Sequence, residues 1–145
     1  MIVDTSGFLA AWGRLQGDIS HGYSDAMRDA VAIAARNARE STLFKNRSGE
    51  TRGTIQSNEF GAYGEVRMGG AAVFLESGTK PHVILPKTGN LLRFVMAGQV
   101  IFARKVNHPG TQPRPVMKNA AAAGGQALER GIEENTSEAV RRFNG

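Results

Sequence analysis

The sequence predicts an α+β fold, with helices at the N-terminus, a small antiparallel β-sheet with a short helix in the middle, and a long helix at the C-terminus. In the first third and the last fifth of the chain, apolar and small residues recur at spacings of three and four, as on one face of a helix. Between these parts, short alternating runs are separated by turns that contain glycine or proline, which indicates strands. A length of 145 residues suits one domain with a single core.

The first third of the chain predicts two helices. A polar residue at positions 4–6 (DTS) can cap the first helix, and its apolar residues fall on one face: Phe8, Leu9, Trp12, Leu15 and Ile19. The run SHGY at residues 20–23 is expected to interrupt this helix, and Ser24 can cap a second one. We therefore divide the single domain, residues 1–145, into an extra N-terminal helix (1–23) and a core (24–143).

The next part predicts a hairpin and a short helix. Residues 46–49 (NRSG) indicate a turn, and residues 51–57 and 62–68 indicate two paired strands. Residues 71–77 indicate a short helix. Gly78 is expected to end this helix, because glycine tolerates the positive φ that a helix stop requires.

Two proline-containing loops surround a second hairpin. Residues 79–90 predict an ordered loop with extended pieces, and residues 107–114 predict a second rigid loop. Between them, residues 91–96 and 100–106 are apolar or alternating runs. The tripeptide at residues 97–99 (AGQ) joins these runs and predicts a hairpin turn.

A single long helix is predicted from Pro115 to Phe143. Proline is tolerated in the first turn of a helix, and the helix would be roughly 43 Å long. We expect part of it to contact another subunit, because so small a domain cannot cover that length. Gly124 and Gly125 lie inside it at a cost of ~2 kcal/mol against alanine, which predicts a kink or a close helix approach.

The excess positive charge lies in the middle of the chain. The net charge is +5, yet residues outside 80–118 carry 11 basic and 13 acidic residues. Residues 80–118 hold no Asp or Glu and seven basic residues: Lys80, Lys87, Arg93, Arg104, Lys105, Arg114 and Lys118. Such a segment predicts a contact surface for an acidic partner or nucleic acid. A solvated basic loop is the alternative.

Several classes of protein are disfavoured. The chain has no cysteine, so disulfides and Cys-ligated zinc are excluded and synthesis in a reducing cytoplasm is expected. The N-terminus does not resemble a secretory signal, and no stretch approaches the ~20 apolar residues that span a bilayer. We therefore expect a soluble protein without membrane contact.

The residues that could carry chemistry do not form a catalytic pattern. The three histidines are His21, His82 and His108, and a metal site at the last two would need a third ligand, for which Glu76 is the nearby acidic candidate. Their spacing matches no HExxH pattern, and neither a Gly-x-Ser-x-Gly elbow nor a phosphate-binding loop occurs. We therefore expect no enzyme activity, metal or cofactor. We expect the imidazoles instead to hold rigid loops by hydrogen bonds.

Three motifs in register resemble the neck and tail-completion proteins of long-tailed bacteriophages, a family that includes the minor tail protein Z of lambda-like phages. Residues 72–82 (AVFLESGTKPH) are similar to its aromatic-x-Glu-x-Gly-Thr signature, and residues 108–117 (HPGTQPRPVM) to its proline-rich entry into a C-terminal helix. Residues 47–55 (RSGETRGTI) resemble its glycine-led first strand. The similarity spans about residues 24–143. The chain departs from the pattern in its extra N-terminal helix and in Val116 and Met117, where an aromatic residue is common.

The resemblance implies a structural role in the virion. Such proteins form a ring, here expected to be hexameric, that completes the tail and joins it to the head while genomic DNA passes through without sequence-specific contact. The partners implied are other copies of the chain and the adjoining neck and tail-tube proteins. The site would then be an assembly surface: Glu76, Gly78, Thr79, Lys80, His82, Lys87, Arg104, His108 and Arg114. In it, Glu76 can accept hydrogen bonds from the following loop or pair with Arg114.

Two alternatives remain open. One is a tail-terminator ring that caps the tail tube. The other is a small non-specific nucleic-acid-binding protein that uses residues 80–118, since phosphate attraction requires only Lys and Arg. No helix-turn-helix or aromatic-rich RNA-binding strand is evident, which disfavours sequence-specific recognition.

Overall fold

The computed structural model describes residues 5–45 and 49–144. The elements, in chain order, are α1 (Ser6–Glu40), α2 (Glu50–Gly53), β1 (Gln56–Glu59), β2 (Gly64–Arg67), α3 (Ala72–Ser77), β3 (His82–Ile84), β4 (Leu92–Met96), β5 (Gln99–Ala103), β6 (Val106–His108) and α4 (Val116–Asn144). Position 4 of the predicted cap and residues 46–48 of the predicted turn lie outside the described residues. Within the described ranges, no helix has the length and apolar character needed to cross a bilayer.

The predicted α+β class is confirmed. In the described chain the strands form three two-stranded antiparallel ladders, β1–β2, β3–β6 and β4–β5, rather than one small sheet. The hairpin predicted in residues 91–106 is confirmed as β4–β5, although its second strand ends at Ala103. Its turn holds Ala97 and Gly98 at φ values of 50° and 81°, as a tight turn with two left-handed residues requires.

Small residues let α1 and α4 pack closely as an antiparallel pair. A Cβ atom on Gly124 would lie 3.0 Å from the carbonyl oxygen of Ala30, and one on Gly131 would lie 2.8 Å from the Cβ atom of Ala26. The close helix approach predicted at the paired glycines of α4 is therefore confirmed. It explains why α4 contains Gly124, a residue of low helix propensity that is buried in this contact.

The predicted interruption of the first helix at residues 20–23 is wrong, because α1 continues through it. Gly22 is buried where α4 crosses, and a Cβ atom there would lie 2.6 Å from the Cβ atom of Asn135. The Asn135 side-chain amide donates a hydrogen bond of 2.8 Å to the Gly22 carbonyl. Ser24 does not cap a second helix, since its hydroxyl donates to the carbonyl of Ser20 one turn earlier. The predicted boundary between an extra helix and a core thus falls inside one continuous helix.

The first predicted strand also begins too early. Residues 51–57 start with α2, and β1 begins only at Gln56, whereas the partner strand β2 is confirmed. The Thr54 hydroxyl donates a hydrogen bond of 2.7 Å to the Thr51 carbonyl and closes the helical turn. The Arg52 guanidinium lies 5.0 Å from the ring centroid of Phe44 and donates to a carbonyl at the end of α1. These contacts stabilise a turn that the local pattern does not reveal.

The main core lies where the end of α1 meets the start of α4. Its buried residues are Ala38, Phe44, Ile55, Val116 and Ala120, and partly buried residues from β2, α3 and α4 pack against them. At the opposite end of the helix pair, the rings of Phe8 and Trp12 lie 6.5 and 6.4 Å from the ring of Phe143. Helix α1 therefore supplies an intramolecular partner along α4. The length of α4 does not by itself require a second subunit.

Candidate assembly surface

Two proline-rich segments, residues 76–82 and 108–117, are joined side by side, and we call them the latch. At its centre, Thr79 and Thr111 exchange two backbone hydrogen bonds of 3.0 Å each, and their hydroxyl oxygens lie 3.1 Å apart. Next to this bridge, β3 pairs with β6 over three residues. The loops predicted to be rigid are therefore held together across 32 positions of sequence.

Two glycines allow the latch to close. Gly78 ends α3, as predicted, with φ 68° and ψ −172°, a conformation available essentially to glycine alone. A Cβ atom on it would lie 2.3 Å from the Thr111 carbonyl oxygen, and one on Gly110 would lie 2.2 Å from the Thr79 carbonyl oxygen. Each glycine thus makes room for the opposite segment. Gly110 also has a positive φ, 87°.

Glu76 connects the latch to the long helix. Its carboxylate accepts a hydrogen bond from the backbone N–H of Met117 at 2.5 Å, at the positive end of α4 where a carboxylate is favourable. Glu76 does not form the predicted alternative, an ion pair with Arg114. Instead, the backbone N–H of Arg114 donates a hydrogen bond of 2.6 Å to the carbonyl of Leu75. Glu76 was predicted to accept a hydrogen bond from the following loop. It does accept a hydrogen bond, but the donor is in α4, 41 residues away, and not in that loop.

Replacing Glu76 with alanine is expected to lower stability by about 0.5–2 kcal/mol, because the first turn of α4 loses its side-chain acceptor. Glu76→Gln retains an acceptor oxygen and should recover part of that loss. The free energy of unfolding in urea measures both variants, with Glu134→Ala on the exposed face of α4 as the matched control. Equal stability of Glu76→Ala and the control would contradict the capping role.

His82 and His108 face each other across β3–β6, with ring centroids 5.0 Å apart. Nδ1 of His82 lies 2.8 Å from the Lys80 carbonyl oxygen. Nδ1 of His108 accepts a hydrogen bond of 3.1 Å from the Gly110 N–H. Both imidazoles therefore hold latch loops by hydrogen bonds, as predicted. In the described part of the chain, no three His, Asp or Glu side chains are grouped to hold a metal ion, and Glu76 is engaged by α4.

The basic residues of the middle segment are all solvent-exposed. Among the described residues, ion pairs form in α1, β1–β2 and α4, and none involves this set. The set comprises Lys80, Lys87, Arg93, Arg104, Lys105, Arg114 and Lys118. It is therefore a positive surface whose charges have no counter-ion within the described chain.

The hairpin β4–β5 extends this surface, and we call residues 92–103 the arm. The contacts of the arm are mainly those between its own two strands. The arm is about 17 Å long at 3.4 Å per residue. One face carries Arg93, Val95, Val100 and Phe102, with the apolar three 63%, 47% and 60% exposed. The opposite face carries Leu92, Phe94 and Ile101, which are only half-buried. An isolated two-stranded hairpin is marginally stable in water, and the arm carries apolar residues on both of its faces.

An apolar groove lies beside the core and is lined by residues of α1, β2 and α4. Its volume is about 290 Å³, and its lining includes Val31, Val66, Ala121, Gly125 and Leu128. Glu65 is the one charged residue among those lining it. Burial raises the pKa of the Glu65 carboxyl, but hydrogen bonds from Asn58, Arg67 and Tyr63 outweigh this and lower the pKa overall. The Glu65 carboxylate is therefore held in its charged form, with Arg67 as its ion-pair partner at 2.8 Å.

The structure brings only part of the predicted site together. The latch contains Glu76, Gly78, Thr79, Lys80, His82, His108 and Arg114, whereas Lys87 and Arg104 flank the base of the arm. Sequence reasoning missed the separate arm and the groove. The apolar character of both faces of residues 92–103 was the available signal for the arm. No known protein family, curated protein or solved structure matches the chain.

Proposed function

We propose that this chain is a structural subunit of the head–tail junction of a long-tailed bacteriophage. In this role it forms a ring, hexameric by its resemblance to neck and tail-completion proteins, that completes the tail and joins it to the head. The genome passes through the ring without sequence-specific contact. The observation that carries the proposal is the exposed, basic and apolar surface formed by the arm and the latch.

The latch supports this role because it is a rigid platform built from the residues that carry the resemblance. Glu76, Gly78 and Thr79 belong to one motif, and Gly110 and Thr111 to another. They contact each other directly through the backbone bridge, the paired glycines and the cap of α4. Rigid loops lose little conformational entropy on association, so such a platform suits repeated docking in a ring.

The surface composition supports assembly as well. Exposed large apolar side chains cluster on the arm, where Val95, Met96 and Phe102 are each at least 60% exposed. Contiguous apolar patches of this kind mark interaction sites on soluble proteins. Burial of one such side chain contributes about 1.5–3 kcal/mol. Several of them on one short hairpin are therefore enough to stabilise a subunit contact.

A mechanical rather than catalytic role is supported by what the titratable groups do. The carboxylate of Glu76 caps α4, and one ring nitrogen of each latch histidine is bonded to the backbone. These groups hold the fold. The unpaired cations face outward, which fits contact with acidic surfaces on adjoining neck and tail-tube proteins.

Imaging of virions tests the proposal. We expect a closed ring of this chain at the head–tail junction, located by an epitope tag on the exposed helix residue Ser137 or by antibody. Purified protein should show mass above that of the monomer as its concentration rises in light scattering. A ring found only on the free end of tail tubes would favour the tail-terminator role. Virions that lack the chain at the junction would refute the proposal.

A second candidate, non-specific nucleic-acid binding, is favoured by one observation, the seven exposed cations without ion-pair partners. Attraction of this kind depends on phosphate charge and falls steeply with salt. It is compatible with a ring through which DNA passes. The charge-reversal experiment in the Discussion separates the two candidates.

A further inference from the structure

The arm and the groove have complementary properties, although they lie on different parts of the molecule. The arm presents apolar side chains together with Arg93, and the flanking chain adds Lys87 and Arg104. The groove is apolar and has Glu65 in its wall. A surface that is apolar and basic thus corresponds to a cavity that is apolar and whose one charged lining residue is a carboxylate, paired with Arg67 at 2.8 Å.

The charge distribution over the whole chain has the same polarity. Residues 80–118 carry seven basic and no acidic residues, whereas the parts of α1 and α4 at residues 16–35 and 119–140 carry seven acidic and two basic residues. The groove is bounded by these two helices. The middle stretch of the helix pair is therefore negative, although α1 and α4 as wholes each carry four basic and four acidic residues. This stretch is complementary in charge to residues 80–118, which favours head-to-tail contact between copies.

We infer that the arm of one copy docks into the groove between β2 and α4 of the next copy. In this contact Val100 and Phe102 enter the groove, and Arg93 lies toward Glu65 of the acceptor. The inference rests on the proposed function in one respect, since it specifies the contact by which the ring forms.

This contact is heterologous, because the donor and acceptor surfaces are different parts of the chain. Heterologous contacts generate closed rings when the rotation between copies closes, and filaments when it does not. Every copy then has its arm covered and its groove filled. The two-stranded arm, which is only marginally stable alone, gains a surface of its neighbour to pack against.

Small residues in α4 keep the groove open. Gly125 lines it, and a Cβ atom there would meet nothing within 4 Å. Ala121, one turn earlier, also lines it and is exposed. Larger side chains at either position would fill the groove without disturbing the contact between α1 and α4, which is made by the neighbouring Gly124.

Disulfide cross-linking tests the docking directly, because the natural chain contains no cysteine. The double variant Val100→Cys with Ala121→Cys should give a ladder of covalent oligomers on oxidation that collapses on reduction. The matched control combines Val100→Cys with Ala122→Cys and keeps Ala121. Ala122 is exposed on α4 but does not line the groove. The control should give no ladder beyond a trace of dimer.

Filling the groove provides an independent measurement. Gly125→Leu should weaken self-association roughly tenfold or more, as loss of one well-packed contact does at an interface. Gly13→Leu is the control, because Gly13 also lies in a helix and its Cβ position is also open. Both variants replace a helical glycine with a better helix former, so their melting temperatures should rise by similar amounts, and this match verifies that the comparison concerns assembly.

The outcomes separate this inference from the proposed function. Self-association without a ladder, or with a ladder only in the Ala122 control, overturns the docking and leaves the ring standing. A chain that stays monomeric across the concentration series also overturns the docking, and virion imaging then decides the ring. Protection of the arm by duplex DNA, with no ladder, would make DNA the occupant and would equally refute docking between copies.

Discussion

Replacing Gly78 with valine is expected to destabilise the protein by more than ~3 kcal/mol. The positive φ and extended ψ of this residue cost a side-chain-bearing residue about 1–3 kcal/mol. In addition, the new Cβ atom would lie 2.3 Å from the Thr111 carbonyl oxygen and 3.0 Å from the Pro113 nitrogen. Relief of that overlap requires the latch to open, with loss of the backbone bridge. Thermal melting and urea unfolding measure the effect, and particle assembly should fail with it.

Gly89→Val is the matched control for this variant. Gly89 also has a positive φ, 80°, but a Cβ atom there would meet nothing within 4 Å. It should therefore show the backbone strain alone. The difference between the two variants reports the close approach of the latch segments. If both variants melt at the same temperature, the latch does not depend on the space that Gly78 leaves.

Reversing Lys80, Lys87 and Arg104 to glutamate is expected to leave the isolated fold intact and to abolish the joining of heads to tails. All three side chains are exposed and form no ion pair among the described residues. Substitutions at such positions usually change stability by no more than about 0.5 kcal/mol each. Joining should fail because the surface would then repel the acidic partner that it is proposed to meet. Infectious titre and electron microscopy of separate heads and tails measure the result.

The control reverses three other exposed cations, Arg14, Arg36 and Lys45, which lie outside the basic segment. It changes the net charge by the same amount, so only the position of the charge differs. Wild-type protein should bind duplex DNA weakly, and moderate salt should remove that binding. Tight, salt-resistant DNA binding, together with normal joining by the variant with Lys80, Lys87 and Arg104 reversed, would overturn the mechanical role and favour the nucleic-acid role.

Several elements could be predicted from the sequence because their determinants are local. The period of small and apolar residues after Pro115 predicts α4, and Ala97 with Gly98 predicts the turn of the arm. Gly78 predicts the end of α3 for the same reason, since a helix stop needs a residue that adopts a positive φ. The exposed state of the basic residues also follows locally, because unpaired charge is too costly to bury.

The sequence by itself therefore determined the α+β class, the order of most elements and the position of the positive charge. Only the tertiary structure decided that α1 is continuous through residues 20–23, that Glu76 caps α4, and that β2 and α4 form an apolar groove. Each of these depends on a partner distant in sequence: Asn135 for Gly22, Met117 for Glu76, and β2 with α4 for the groove. Glycine at position 22 weakens a helix locally, but it also permits the close crossing of a second helix. The crossing prevails because it supplies packing and a hydrogen bond that the isolated segment lacks.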